Sequence, residues 1–225
     1  MENSTRYDST LLVIALSVIG FNLFLTPSIE QKTIFQSKKE IVSTPSAYGL
    51  SHQEIFLPSK TGKIQSWYIN NPNSKRVAIF FHGNSRNIGA FGNLYKNIYK
   101  TPSDLLIVEY PGYGKSEGTP SEDGVYQAAE RAYQYLLNKG YTSDNIYLIG
   151  YSLGGAVATH LATKKKVAAL LLISPISSVS DTVNSKFSVL SLLFWTRSKF
   201  DTYNMVKKVN TPVMILHSKK DKNCQ

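Results

Sequence analysis

The sequence predicts an α/β domain: a mostly parallel sheet with helices on both faces. Three observations carry this. Short apolar runs recur at 76–81, 105–109, 146–149, 167–173 and 211–216, and they are continuous rather than alternating, as strands buried on both faces require. Helix-forming segments separate several of these runs, the pattern of strand–helix–strand units. The polar residues that stand out, His82, Tyr110, Ser152 and Ser174, each follow the carboxyl end of such a run. One side of an open α/β sheet collects ligands at that end of its strands.

Taken in order, residues 1–10 are polar and 11–25 are apolar, softened by Ser17, Gly20 and Asn22, with no charge between Asp8 and Glu30. As a helix this stretch spans about 22 Å, short of the roughly 30 Å hydrocarbon core. The length suits a secretory signal core or a short signal anchor. Thr26–Pro27–Ser28 matches a small-x-small cleavage site poorly, so residues 1–30 read as an uncleaved membrane anchor. A cleaved segment would make the domain secreted or periplasmic. Arg6 before the stretch and Lys32, Lys38 and Lys39 after it place the domain inside by a Lys/Arg count. A signal-like start places it outside, and both orientations stay open. Residues 31–50, with Pro45, Gly49 and several Ser and Thr, read as a linker, and 51–225 as the domain.

Residues 53–57 and 64–69 alternate and flank a Pro58–Gly62 turn, which predicts an antiparallel hairpin. The runs at 76–81 and 105–109 are the next strands, ending in His82–Gly83–Asn84 and in Tyr110–Pro111–Gly112–Tyr113–Gly114. Residues 121–137 read as a helix, with Ser121 as N-cap and Glu122 and Asp123 in the first turn. Strands at 146–149, 167–173 and 211–216 follow. Residues 174–210, polar and aromatic by turns, predict short helices.

The stretch 146–162 passes from an apolar run through Gly150-Tyr151-Ser152-Leu153-Gly154 into a small-residue helical segment. Gly-x-Ser-x-Gly alone arises by chance in roughly one chain in ten of this length. Strand, sharp turn and helix together are the context of a nucleophile elbow. The glycines leave no side chains to collide at the tip, and the following helix aims its free N–H groups there.

Composition excludes several classes. The 225 residues are 42% hydrophobic and 18% charged, which is globular rather than disordered. The net charge of +10 is scattered, with no basic block interleaved with aromatics, so no nucleic-acid groove is expected. A single cysteine, Cys224, rules out an internal disulfide framework and a Cys-based metal cluster. His82 has no second ligand at i+2 or i+4, and no metal or cofactor is expected.

Four motifs in order then resemble a family: His82–Gly83–Asn84, the run from Glu109 through Gly112, Gly114 and Ser116 to Pro120, the elbow at Ser152, and 212–221. Together they resemble the α/β-hydrolase superfamily, in particular the Bem46-type membrane-anchored serine hydrolases, over about residues 50–222. The resemblance implies Ser152 as nucleophile, the backbone N–H groups of Leu153 and Asn84 as oxyanion hole, and Asp221 as triad acid. It implies that His82, Gly83, Tyr110 and Tyr151 line the pocket. Residues 174–210 would form a small lid, in which Phe187, Leu190, Leu193, Phe194 and Trp195 meet an apolar group or pack the lid on the core. The implied substrate is a small-molecule or lipid-like acyl ester or thioester.

A serine hydroxyl needs a base, and in this superfamily the histidine follows the acid. None of the four histidines follows Asp221. His52 lies before the core strands, His82 sits in the oxyanion turn, and His160 is about 12 Å along the helix from Ser152. His217 precedes the acid, at the end of its strand. The expectation is therefore a chain truncated at its C-terminus, lacking a last strand and helix, with 211–216 left as an exposed sheet edge and little triad-type turnover. Two functions compete: an ester or thioester hydrolase impaired by the missing histidine, and a non-catalytic membrane-tethered binding module or degenerate pseudo-hydrolase.

Overall fold

Alternating residues at the start of the domain form a hairpin. Strand β1 (Gln53–Ser59) and strand β2 (Gly62–Ile69) pair antiparallel, with Ser59 opposite Gly62. Gly62 takes a φ of 114°, a left-handed conformation that suits glycine at the hairpin's exit. The continuous apolar runs become β3 (Val77–Phe81), β4 (Asp104–Val108), β5 (Ile146–Tyr151), β6 (Ala169–Ile173) and β7 (Val213–Leu216). The computed structural model describes residues 34–72, 74–179 and 198–218. The 1–30 segment, the lid residues Phe187, Leu190, Leu193, Phe194 and Trp195, and Asp221 lie outside the described residues.

The seven strands form one sheet in the order β1-β2-β4-β3-β5-β6-β7. β2 meets β4 antiparallel, and every pair from β4 through β3, β5 and β6 to β7 is parallel. Successive strand side chains point to opposite faces, so the same runs feed two cores. Ile79, Phe81, Leu106, Val108 and Leu148 face one; Ala78, Phe80, Leu105, Ile107 and Ile149 face the other.

Helices cover both faces. Helix α1 (Gly92–Tyr99) sends Tyr95 into the second core, its ring 5.3 Å from Phe80. Helix α2 (Glu122–Asn138) and helix α3 (Leu153–Lys164) cover the first with Val125, Ala128, Ala132, Val157 and Leu161. The Ser121 hydroxyl caps α2 by accepting the Gly124 N–H at 3.1 Å. A short helix, α4 (Thr202–Val206), precedes β7. Among the described residues, no helix is long and apolar enough to cross a membrane.

Residues 34–50 differ from the linker expected of them. Ile34 and Phe35 are buried, and Phe35 packs edge-on against Phe200 with centroids 5.8 Å apart. Residues 45–48 form a 3₁₀ turn whose Tyr48 ring lies over Gly92. Among the described residues, the backbone of 34–40 has no sheet partner. Its carbonyls are satisfied instead by Asn84, Asn87 and Gly114, which seats it over the carboxyl end of the sheet.

Candidate active site

Strand β5 delivers Ser152 to the carboxyl end of the sheet, where α3 begins. Ser152 holds φ 52° and ψ −117°, a conformation L-residues avoid. Its N–H donates to the Ile173 carbonyl at 3.0 Å, and its carbonyl accepts from Gly155 at 2.9 Å. A β-carbon on Gly154 would overlap the Phe81 carbonyl, and one on Gly150 would lie 2.6 Å from the Gly155 Cα. Only glycine lets β5, β3 and α3 converge this closely. Ser152 and Tyr151 are half-buried at the tip.

The turn after β3 abuts this tip. A β-carbon on Gly83 would sit 3.2 Å from the Ser152 Cβ and 3.3 Å from the Tyr151 ring. The structure thus brings Gly83, Asn84, Tyr151, Ser152 and Leu153 together. Among the described residues, the N–H groups of Asn84 and of Leu153, the first residue of α3, donate to no protein acceptor. Two unpaired amides flanking one hydroxyl are what an oxyanion would need.

His82 and Tyr110 are placed differently from the pocket-lining role expected of them. Both are fully buried, beneath the turn rather than facing an opening. Their ring centroids lie 4.1 Å apart, the planes tilted by 33°. The His82 ring lies 2.6 Å from the Glu109 carboxylate through Nε2, and its Nδ1 donates to the Gly83 carbonyl at 2.7 Å. The Tyr110 hydroxyl donates to the His82 carbonyl at 2.8 Å, and the Tyr113 hydroxyl to the Asn84 carbonyl at 2.8 Å. Burial, then their neighbours including Glu109, push both phenols far up, so they remain donors at any working pH.

Sequence reasoning assigned Glu109 no role. Its carboxylate also accepts the N–H of Ile88 and of Tyr110, each at 3.0 Å. The available signal was a lone carboxylate closing a strand buried on both faces, which requires partners there. The strap at 34–40 was missed too: the Asn84 side chain donates to the Ile34 carbonyl at 2.9 Å.

The remaining histidines are elsewhere. His52 bonds the Ser46 hydroxyl at 3.3 Å and packs on Trp67. His160 stacks on Tyr126 with centroids 3.7 Å apart. His217 is exposed just beyond β7. Among the described residues, no group of three or more His, Cys, Asp or Glu is placed to hold a metal ion.

Comparison with known proteins agrees with this architecture. Residues 77–210 match the family model described as the alpha/beta hydrolase fold. Protein bem46 of Schizosaccharomyces pombe is 29% identical over 226 residues, covering 93% of this chain and 74% of the relative. Alpha/beta hydrolase domain-containing protein 17C of Xenopus tropicalis is 30% identical over 158 residues, covering 67% of this chain but only 48% of the relative. Among solved structures, the Pyrococcus furiosus esterase Pf2001 superposes with a TM-score of 0.70 at 18% identity, covering 84% of this chain and 79% of that one, a likeness of fold. With sheet order, turn and elbow in hand, the chain belongs to the α/β-hydrolase fold family.

Proposed function

We propose that this chain is a serine hydrolase of carboxylic esters or thioesters, with Ser152 as nucleophile and the N–H groups of Leu153 and Asn84 as oxyanion donors. The observation that carries the reading is the strained Ser152 backbone, held at a tip where two amides have no partner among the described residues. The hydroxyl attacks the acyl carbonyl and the amides take the charge on its oxygen. Loss of the alcohol or thiol leaves an acyl-enzyme, which water then cleaves. Asp221 would orient the base. The esterase named among the structural neighbours is in keeping with this class, and an apolar, lipid-like acyl group presented at a membrane suits an anchor at residues 1–30.

The attack also needs a proton acceptor. His82, His52 and His160 are each engaged elsewhere, His217 is exposed beyond β7, and among the described residues none of the four has a hydrogen bond to Ser152. Hydrolysis by these 225 residues is therefore impaired, and a small external base should supply what is missing. Cleavage of p-nitrophenyl butyrate by the purified chain is expected to be near background and to rise at least about tenfold with added imidazole, in a saturable way. The blank is Ser152→Ala, which should show only the imidazole-catalysed solution rate. Equal rates in Ser152→Ala and wild type would reject Ser152. The same histidine placements favour a second reading, a membrane-tethered module that binds acyl ligands without turning them over. Binding of butyrate esters with no Ser152-dependent rate at any imidazole concentration would select it.

A further inference from the structure

We propose that His82 and Glu109 are positioning residues that fix the Gly83–Asn84 peptide with its N–H turned toward Ser152. This role rests on the Ser152 reading above and deepens it.

A trans peptide points its carbonyl and its N–H in opposite directions. The Gly83 carbonyl accepts from His82 Nδ1 at 2.7 Å, on the buried side of the turn. The N–H of the same peptide, that of Asn84, therefore points away from the ring, and the turn that carries it abuts Ser152, whose Cβ lies 3.2 Å from where a Gly83 β-carbon would sit. Rotating the peptide by half a turn would bury that N–H against the imidazole and present a carbonyl to the oxyanion instead. The hydrogen bond from His82 selects between these two states.

Glu109 makes the selection firm. A carbonyl oxygen can only accept, so the hydrogen on Nδ1 is required. The Glu109 carboxyl lies 2.6 Å from Nε2 and holds the other ring nitrogen, so the ring cannot turn over to offer a lone pair to Gly83 without losing that partner. His82 and Glu109 are both fully buried, which leaves no water to compete for either bond. The carboxylate is itself immobilised by the N–H groups of Ile88 and Tyr110.

The neighbouring peptides are held in the same sense. Tyr110 takes the His82 carbonyl and Tyr113 the Asn84 carbonyl, so all three carbonyls of the turn are occupied by side-chain donors. The Asn84 side chain is tied to Ile34 on the far side. Such a clamp costs nothing at the moment of reaction, because the dipole is aimed before charge develops.

The test uses the full chain. In ¹³C/¹⁵N-labelled protein, Nδ1 of His82 should carry hydrogen, with a coupling across the hydrogen bond from Nδ1 to the Gly83 carbonyl carbon. A bare Nδ1 overturns the proposal. In the imidazole-assisted assay, His82→Leu should lower the Ser152-dependent kcat about 100-fold with KM nearly unchanged. His82→Asn, whose side-chain amide can reach the same carbonyl, should restore it to within about tenfold of wild type. Glu109→Gln, which keeps an acceptor for the backbone amides, should cost about tenfold in kcat, and it decides the matter if His82→Leu fails to fold. A kcat within threefold of wild type in Glu109→Gln and in any folded His82→Leu overturns the positioning role while leaving Ser152 intact. No Ser152-dependent rate in wild type overturns the function, and this role falls with it.

Discussion

At Ser152 the chain accepts a conformation it would avoid elsewhere. A φ of 52° brings an L-residue's Cβ against its own backbone, at a cost of about 1–2 kcal/mol. If the strain serves chemistry, removing the side chain should stabilise the fold and end the reaction together. Ser152→Gly is expected to raise stability by about 1 kcal/mol, or roughly 2–4 °C in Tm, whereas Ser152→Ala keeps the Cβ and should melt near wild type. Thermal denaturation of the two variants decides this, and equal melting points would mean the tip is relaxed. The opposite case is Gly154, where an added methyl meets the Phe81 backbone rather than a yielding side chain. Gly154→Ala should lose about 3 kcal/mol or more, seen as a lower denaturation midpoint or as insoluble expression.

The α2–α3 contact shows how elements add a pH term. His160 of α3 lies flat on Tyr126 of α2, tilted by only 6°. Burial, then the positive charge of Lys164, holds the imidazole below its ordinary value of 6.5. The folded chain therefore binds fewer protons than the unfolded one just below that pH. Stability then rises with pH through the window and is lost as pH falls from about 6.5. His160→Phe keeps the stack and removes the titration, so the fall in Tm between pH 6.5 and 5 should become shallower. His52, also lowered chiefly by burial, adds a slope of the same sign. How legible these elements were follows from where their forces lie. β3, β4 and α2 write their burial and capping into contiguous residues, and their bounds were readable. α1 was not, because Gly92, Asn93 and Asn97 are poor helix formers and no side chain caps its start; tertiary packing of Tyr95 holds it. The strap at 34–40 and the Glu109–His82 pair were invisible for a related reason: their partners lie 27 to 77 residues away, and no local pattern encodes them.

Across the whole molecule, the two edges of the sheet are built differently. The β1 edge carries Pro58, which removes a donor, and Glu54, paired with Lys115 at 2.9 Å. The β7 edge carries Val213, Met214, Ile215 and Leu216, exposed by 38%, 62%, 54% and 50%. β7 pairs with β6 on one side, and among the described residues no strand pairs with the other. A row of free backbone groups bordered by four apolar side chains is a template for a further strand. The purified 225-residue chain should therefore associate as its concentration rises, and Ile215→Lys should restore monomers by placing a charge on that edge. The side chain is already half exposed, so the lysine need not desolvate its ammonium, and Tm should change little. Sedimentation velocity at two concentrations, about tenfold apart, separates the outcomes. Wild type should shift to larger species while Ile215→Lys does not. A wild type that sediments as one species at both concentrations would show that something covers this edge.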